Sequence, residues 1–205
     1  KRLKWKDTTS RLWKKELYEF FKDKDVKKCL EIGTNHGWTS LWTSTFFDHV
    51  YTIEYDYSKY VSAQNHCKQH ARDNITFING DAYRDNTYEN IPSDIDVIII
   101  DCMHIYEYVI ADINRALTYY TGEKKLYIVF DDYGHPTSTG VHKAIHEGID
   151  AGLTVERYIG QPAGFLVERL DGTQFELVRE EGIILSYDKK TYMHYHEDDR
   201  AQRLL

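Results

Sequence analysis

The sequence has few cysteines and no long apolar segment, and each scarcity excludes a class of protein. Its three cysteines are widely spaced with no CxxC pair. This excludes a disulfide framework and a cysteine-rich zinc module, and it suits a reducing compartment. No apolar run approaches the ~20 residues that cross a bilayer. The N-terminal segment is charged, unlike a signal peptide. We therefore predict a cytoplasmic protein with no membrane partner.

Charge is distributed unevenly along the chain. Over 205 residues, 33 acidic side chains outnumber 26 basic ones, for a formal net charge of −7. Residues 1–28 hold eleven Lys and Arg against five Asp and Glu, or +6, which leaves −13 for the remainder. This pattern predicts a basic N-terminal helical arm over 1–25, a body over 26–187 and a polar C-terminal tail over 188–205. The acidic body argues against nucleic acid as a partner. The arm is interpreted as a solvated face, a lid or dimer contact, or a surface that attracts an anionic acceptor.

Helical and strand periodicities alternate along the chain. The predicted helices span residues 9–22, 37–47, 57–72, 106–120 and 138–151. The predicted strands span residues 26–32, 49–55, 75–78, 96–101, 126–130, 153–159, 165–170, 174–178 and 183–187. Repeated strand–helix alternation predicts an α/β protein with a Rossmann-like, doubly wound, mostly parallel seven-stranded sheet. The strand-rich end, with a turn at Asp171–Gly172, predicts antiparallel edge strands through which a homodimer could form.

An acidic residue lies at or near the C-terminal end of every predicted parallel strand. Ligands of open α/β sheets bind at these strand ends. The residues concerned are Glu31 with Gly33, Glu54, Asp81, Asp101 and the pair Asp131–Asp132. Asp and Gly are also common turn residues, so a single acid of this kind indicates little. The complete set predicts one binding crevice.

The loop from Glu31 to Gly37 carries two glycines that let a ligand approach the backbone closely. It lacks the GxGxxG pattern of dinucleotide sites, which favours a smaller nucleoside ligand, and a simple tight turn is the alternative. Glu54 ends the second strand, where a carboxylate accepts both hydroxyls of a ribose. Asp81 ends the third strand, within reach of the base of the same ligand. We therefore predict a nucleoside site across these loops.

Strands four and five bring Asp101 close to Asp131 or Asp132, because neighbouring strands lie about 4.8 Å apart. Carboxylates at this distance repel one another, so one is protonated or a cation lies among them. Hard oxygen ligands suit Mg²⁺, with Mn²⁺ or Ca²⁺ as alternatives. Consecutive strand residues point to opposite faces, so Asp131 and Asp132 converge only if the strand has already turned. A hydrogen-bonded acid cluster without an ion is the competing interpretation.

The ordered set of motifs over roughly residues 10–165 resembles class I S-adenosylmethionine-dependent methyltransferases. It is most similar to the cation-dependent O-methyltransferases of the catechol and macrolide-sugar types. The shared order is E-x-G-x-x-x-G-x-T, an acid after strand two, G-D after strand three, D-x-x-H-x-Y after strand four and D-D-Y after strand five. The cofactor-binding residues that this resemblance implies are Glu31, Gly33, Thr34, Asn35, Gly37, Thr39, Glu54, Asp81, Ala82 and Asp101. The metal ligands that it implies are Asp101, Asp131 and Asp132.

The resemblance also implies a catalytic role for Asp101 and for His104, three residues further on. Catechol-type relatives have a lysine at this position that is thought to deprotonate the acceptor hydroxyl. A histidine suits the same task, because its free pKa of about 6.5 makes it a base near neutrality. Macrolide-sugar relatives have an aspartate where this chain has Met103, so the substrate class stays open. A histidine that caps the next helix is the structural alternative, and His135 is a candidate for the acceptor pocket.

The sequence as a whole predicts an S-adenosylmethionine-dependent methyltransferase that uses a divalent cation, with Mg²⁺ favoured. Its predicted reaction is metal-assisted methylation of a hydroxyl oxygen on a small molecule or sugar. Two alternatives stay open from the sequence: a Rossmann-type NAD(P)-dependent oxidoreductase, and a nucleoside-binding module without catalysis. The absent GxGxxG pattern disfavours the first alternative.

Overall fold

A computed structural model of the chain describes residues 4–5, 9–119, 124–169 and 171–188. The helices in these ranges are α1 (Arg11–Phe21), α2 (Trp38–Thr43), α3 (Tyr57–Gln69), α4 (Tyr106–Tyr119) and α5 (Thr139–Asp150). The strands are β1 (Lys4–Trp5), β2 (Lys28–Ile32), β3 (His49–Glu54), β4 (Ile75–Asn79), β5 (Val97–Ile100), β6 (Leu126–Phe130), β7 (Thr154–Ile159), β8 (Leu166–Arg169), β9 (Gln174–Glu176) and β10 (Gly182–Tyr187). A short 3-10 helix, Asp85–Tyr88, follows β4. Within the described ranges, no helix combines the length and apolar character that a membrane span needs.

Seven of the described strands form one sheet, in the order β4-β3-β2-β5-β6-β10-β7. Pairing is parallel from β4 through β6. Strand β10 is antiparallel to both of its neighbours, so the edge strand β7 runs in the same direction as the first five. The predicted mostly parallel, doubly wound sheet is confirmed. Within the main sheet, antiparallel pairing is confined to β10, which lies beside the edge strand β7 rather than at the edge. Strand β7 follows the helix α5, and the chain then returns to place β10 between β6 and β7.

The hairpin β8–β9 lies outside the main sheet and forms a second sheet with β1, in the order β1-β8-β9. Its strands are antiparallel, and the predicted turn is confirmed by Gly172 N donating to Arg169 O at 3.0 Å. In β8 only Val167 is fully buried. A central strand of a two-sided sheet would bury nearly all its side chains, so this hairpin has too little apolar surface for that position. It lies instead over the C-terminal end of the main sheet.

Both faces of the central strands are buried, as the apolar run in β5 predicts. One face packs against α4 and α5, and the other packs against α1. In α1, Trp13, Leu17 and Phe21 are spaced by four residues and are almost fully buried. Burial of each such side chain contributes roughly 1.5–3 kcal/mol. The helix predicted for the N-terminal arm is therefore part of the core. Residues 1–3 and 6–8 of the arm, and 189–205 of the tail, lie outside the described residues.

Candidate functional site

A cavity of about 640 Å³ opens at the C-terminal ends of the parallel strands. This volume is within the range of small-molecule sites, roughly 300–1,000 Å³. The predicted site residues on its wall are Gly33, Asn35, Glu54, Asp81, Ala82, Asp101, His104, Asp131 and Asp132. Met103 and His135 line it as well. The strand-end loops therefore meet in one crevice, as the sequence predicts.

Gly33 allows the first loop to lie directly against the end of β5. Its φ of +104° is in the left-handed region, which L side chains rarely adopt. A Cβ atom at this position would lie 2.0 Å from the carbonyl oxygen of Asp101. The backbone N–H groups of Gly33 and Thr34 both donate to Ile53 O at 3.1 Å. The loop is thus held between β3 and β5 at the position where a ligand would contact its backbone.

Backbone N–H groups fix both carboxylates at the β3 and β4 ends of the cavity. Glu54 Oε2 accepts a hydrogen bond from Asn35 N at 2.7 Å, and Oε1 accepts one from Asp56 N at 2.9 Å. Asp81 Oδ1 accepts one from Tyr83 N at 2.9 Å. A carboxylate oxygen has two acceptor positions, so both groups keep the capacity to accept from a ligand. This end of the cavity therefore presents pre-oriented acceptors.

Four residues predicted to bind the cofactor do not line the cavity: Glu31, Thr34, Gly37 and Thr39. Glu31 is 1% exposed and accepts hydrogen bonds from Ser40 Oγ and, at 2.7 Å, from Thr52 Oγ1. Burial raises the pKa of Glu31 to about 8, in spite of these hydrogen bonds. The Glu31 side chain thus connects β2 to α2 and β3 beneath the surface of the cavity. Contact of these four residues with a cofactor stays a prediction.

We expect Glu31→Gln to remove one component of the pH dependence of stability. A free glutamate has a pKa of about 4.3, so the raised pKa means that the folded chain holds a proton that the unfolded chain loses. Stability is then full below the unfolded pKa and is lost as the pH rises toward about 8. The thermal midpoint should fall less between about pH 5 and about pH 8 in this variant than in the wild type. An equal fall in both proteins would contradict the assignment.

Asp101, His104 and Asp132 form a cluster at the opposite end of the cavity. They offer three ligand atoms that all lie within 4.8 Å of one another. His104 Nε2 lies 2.7 Å from Asp132 Oδ2 and 4.0 Å from Asp101 Oδ1. Asp132 has a φ of +55°, so the chain has left the extended conformation by this residue. Asp131 lines the same cavity without joining this cluster, and its predicted role as a metal ligand stays a prediction.

The pKa values of Asp101, Asp131 and His104 are all raised, so each of these groups holds its proton more tightly than in water. Burial and the neighbouring Asp132 raise the pKa of Asp101 to about 6. Burial, with Asp132 and Asp101 nearby, raises the pKa of Asp131 well above its ordinary value. Burial alone would lower the pKa of His104, but its hydrogen bond to Asp132 and the charge of that carboxylate raise it. The surplus of negative charge would stabilise a cation at this end of the cavity.

Comparison with known proteins identifies the family to which this chain belongs. Residues 30–133 match a family model described as a methyltransferase domain, which is half of the chain. The chain belongs to this methyltransferase family. A search of curated proteins finds no match to the sequence. The family match argues against the oxidoreductase alternative.

Solved structures with the same fold include proteins with a bound cofactor or with SAH. An O-methyltransferase from Bacillus cereus in complex with SAH has a TM-score of 0.64 and 20% identity, over 89% of this chain and 83% of that one. The cofactor-bound protein Rv0187 from MTB has a TM-score of 0.66 and 18% identity, over 88% and 81%. Aeropyrum pernix fibrillarin with natively bound S-adenosyl-L-methionine has a TM-score of 0.53 and 17% identity, over 80% and 67%. The fold is that of the class I S-adenosylmethionine-dependent methyltransferases.

The methyltransferase cavity also contains side chains that the sequence analysis missed. Tyr83 and Tyr108 lie on its wall with ring centroids 4.7 Å apart. Arg169 and Phe175 reach it from the β8–β9 hairpin. The position of Tyr83, two residues after Asp81, is a signal that could have identified it. No local pattern marks the hairpin residues, because their place depends on pairing with distant strands.

Proposed function

We propose that this chain transfers a methyl group from S-adenosylmethionine to a hydroxyl oxygen of a small molecule, with a divalent cation at the acceptor. The observation that carries the proposal is the position of the Asp101–His104–Asp132 cluster. It opens on the same cavity as the fixed carboxylates of Glu54 and Asp81. The cavity thus has a nucleoside end and an end equipped for proton and cation chemistry. The family match and the fold support the methyl-transfer part of the proposal.

The nucleoside end fits the cofactor. Glu54, held by two backbone N–H groups, is positioned to accept from the two ribose hydroxyls. Asp81 and Ala82 would contact the base, with Tyr83 beside them. Gly33 lines the cavity, and because it has no side chain of its own, a ligand can approach its backbone closely. These residues would bind and orient the cofactor without taking part in the reaction.

The donor set at the other end fits a divalent cation. Two carboxylates and an imidazole converge within 4.8 Å, and Asp131 lies on the same wall. Carboxylate oxygens suit Mg²⁺, with Mn²⁺ as an alternative. We propose that Asp101, Asp131 and Asp132 hold the ion. When bound, such a cation lowers the pKa of the acceptor hydroxyl and orients its oxygen.

His104 is proposed to take the hydroxyl proton. The acceptor oxygen attacks the methyl carbon, and the carbon–sulfur bond breaks with its electron pair moving to sulfur. The proton released from the hydroxyl goes to the imidazole of His104. Asp132, 2.7 Å from His104 Nε2, then stabilises the resulting imidazolium. In-line positioning of oxygen and methyl is expected to supply much of the rate, since orientation alone contributes up to roughly 7–11 kcal/mol.

Cation removal is expected to reduce turnover without releasing the cofactor. S-adenosylhomocysteine formation would be measured over a panel of hydroxylated acceptors, with Mg²⁺ and with EDTA. EDTA and Asp132→Asn should each lower turnover by about 10–100-fold, because loss of ligand or ion weakens activation of the hydroxyl. Calorimetry should show nearly unchanged S-adenosylhomocysteine affinity. Asp73→Asn, an exposed aspartate outside the cavity, is the matched control.

Three outcomes would contradict the proposal in different parts. Full turnover in EDTA would exclude a role for the cation in the reaction. His104 would then act with the carboxylates alone. Cofactor binding without S-adenosylhomocysteine release from any acceptor would favour the non-catalytic nucleoside-binding module. Failure to bind S-adenosylhomocysteine would reject the assignment of Glu54 and Asp81 to the nucleoside.

A further inference from the structure

The β8–β9 hairpin gives the cavity a positively charged side chain beside the acid cluster. Arg169 ends β8, and Phe175 is the middle residue of β9. Both line the cavity together with His104, Asp132 and His135. They therefore lie at the acceptor end rather than at the end assigned to the nucleoside. The positive charge of Arg169 acts on both His104 and Asp132, which is consistent with this placement.

Arg169 is held in place by two aromatic rings. Its Nη2 lies 3.1 Å from His135 Nε2, and its guanidinium carbon lies 5.3 Å from the centroid of the Phe175 ring. The His135 and Phe175 rings are 4.3 Å apart. A guanidinium only donates hydrogen bonds, so His135 Nε2 accepts. At the other ring nitrogen, Thr137 N and Thr137 Oγ1 lie 3.3 Å and 3.0 Å from His135 Nδ1. The guanidinium is thus oriented by a ring that Thr137 contacts at its opposite nitrogen.

No carboxylate of the described residues forms a direct ion pair with Arg169, although its charge reaches Asp132 and Asp171. Within the described residues, no acidic oxygen lies within 4.0 Å of its guanidinium, and its hydrogen bond goes to an uncharged ring. The nearest acid of the acceptor end, Asp132, is paired with His104 at 2.7 Å. A guanidinium has five N–H donors in a planar fork that matches a carboxylate in two-point contact. The donors not used on His135 are therefore suited to an anionic group on a ligand.

We propose that Arg169 determines acceptor specificity by binding a carboxylate, and that the acceptor is a hydroxylated aromatic acid. Its ring would lie against Phe175 and His135, and its hydroxyl would face the Asp101–His104–Asp132 cluster. This inference rests on the proposed function, because that function places the methylated hydroxyl at the cluster. Arg169 would then compensate the charge of the carboxylate beside the acid cluster. Arg169 is a specificity residue and takes no part in methyl transfer.

The test compares two ligands that differ in one charge. Protein saturated with S-adenosylhomocysteine is titrated by calorimetry with 3,4-dihydroxybenzoate and with the neutral 3,4-dihydroxybenzyl alcohol. The wild type should bind the acid at least about tenfold more tightly than the alcohol. Arg169→Met, which keeps an apolar chain of similar length, should bind both with the affinity that the wild type has for the alcohol. Arg157→Met removes an exposed arginine of β7 outside the cavity and should keep the wild-type preference.

A second variant separates charge from packing. Phe175→Leu should weaken binding of both ligands and leave most of the ratio between them, because it removes the ring surface and keeps the cation. Equal affinity of the wild type for the two ligands, absence of binding of both, or a preference that survives Arg169→Met would overturn the inference. S-adenosylhomocysteine affinity distinguishes the two levels. If it binds and no acid preference is found, only the acceptor inference fails, whereas loss of its binding rejects the proposed function as well.

Discussion

His104→Gln is expected to lower kcat by about 10²–10⁴-fold, the usual contribution of a positioned general base. His104 Nε2 lies 2.7 Å from Asp132 Oδ2 and 4.0 Å from Asp101 Oδ1, so it is the basic group nearest to both acids of the cluster. Glutamine keeps a polar side chain of similar reach but does not accept a proton at neutral pH. The affinity for S-adenosylhomocysteine should stay nearly unchanged, because the nucleoside end of the cavity is built from other residues. A kcat loss with an unchanged binding constant is the signature of an interaction made only during reaction.

Two further measurements show whether His104 acts through its basicity. In His104→Ala, added imidazole should restore part of the lost turnover, since the deleted ring leaves space beside Asp132. His70→Gln changes an exposed histidine outside the cavity and should keep the wild-type kcat. Full activity of His104→Gln would assign this residue to the structural role of a helix-capping histidine. Loss of S-adenosylhomocysteine affinity in the same variant would show that His104 maintains the shape of the cavity rather than accepting the proton.

The sequence predicts those parts of the fold that depend on local pattern. The apolar run of β6 was predicted with its observed bounds, because a strand buried on both faces leaves an uninterrupted apolar signature. Ser10, a residue type that favours helix starts, accepts a hydrogen bond from Trp13 N at 3.0 Å and caps α1. The acids that follow the parallel strands were predicted to meet in one crevice, because parallel strands end at one edge of the sheet. Their convergence follows from topology without any knowledge of a ligand.

Local pattern does not determine which distant strands pair. The insertion of β10 between β6 and β7 and the separate sheet of β1, β8 and β9 both depend on long-range contacts. For this reason the contribution of Arg169 and Phe175 to the cavity could not be read from the sequence. Glu31 shows a second limit. A motif places it beside the loop, but as a residue inside β2 its side chain points into the core toward Thr52.

In the acid pair after β6, one backbone angle decides which carboxylate reaches His104. Asp131 and Asp132 are consecutive, so they can serve one site only if the strand has already turned. The φ of +55° at Asp132 is such a turn, and it brings this carboxylate to His104. Asp131, one residue earlier, keeps a partly buried carboxyl whose pKa is raised by burial and by nearby Asp132, Asp101 and Glu181. A cation bound by both carboxylates would need Asp131 and Asp132 to point toward the same place. The chelation experiment therefore tests the proposed ligands as a set.

Gly33→Ala is expected to weaken cofactor binding, with a loss of S-adenosylhomocysteine affinity of more than about 100-fold, or roughly 2.7 kcal/mol. The added methyl group would lie 2.0 Å from Asp101 O, and backbone atoms do not move aside as a flexible side chain does. The loop must therefore withdraw from β5, which displaces the N–H groups of Gly33 and Thr34 from Ile53 O. The unfolding free energy should also fall, by about 2–5 kcal/mol from strain at positive φ and from overpacking.

Gly172→Ala is the matched control that separates these two costs. Gly172 has a φ of +85°, and nothing lies within 4 Å of the Cβ atom that alanine would add. This variant should lose only the strain of an L residue at positive φ, about 1–2 kcal/mol by chemical denaturation, and keep its S-adenosylhomocysteine affinity. If Gly33→Ala loses no more stability than Gly172→Ala and still binds S-adenosylhomocysteine, the first loop does not lie against the cofactor. The clash at Gly33 is with the carbonyl of Asp101. The same substitution therefore also tests whether displacing the loop at Gly33 changes the position of the acid cluster. Turnover lost in a Gly33→Ala protein saturated with cofactor would show that the two ends of the cavity are coupled through this contact.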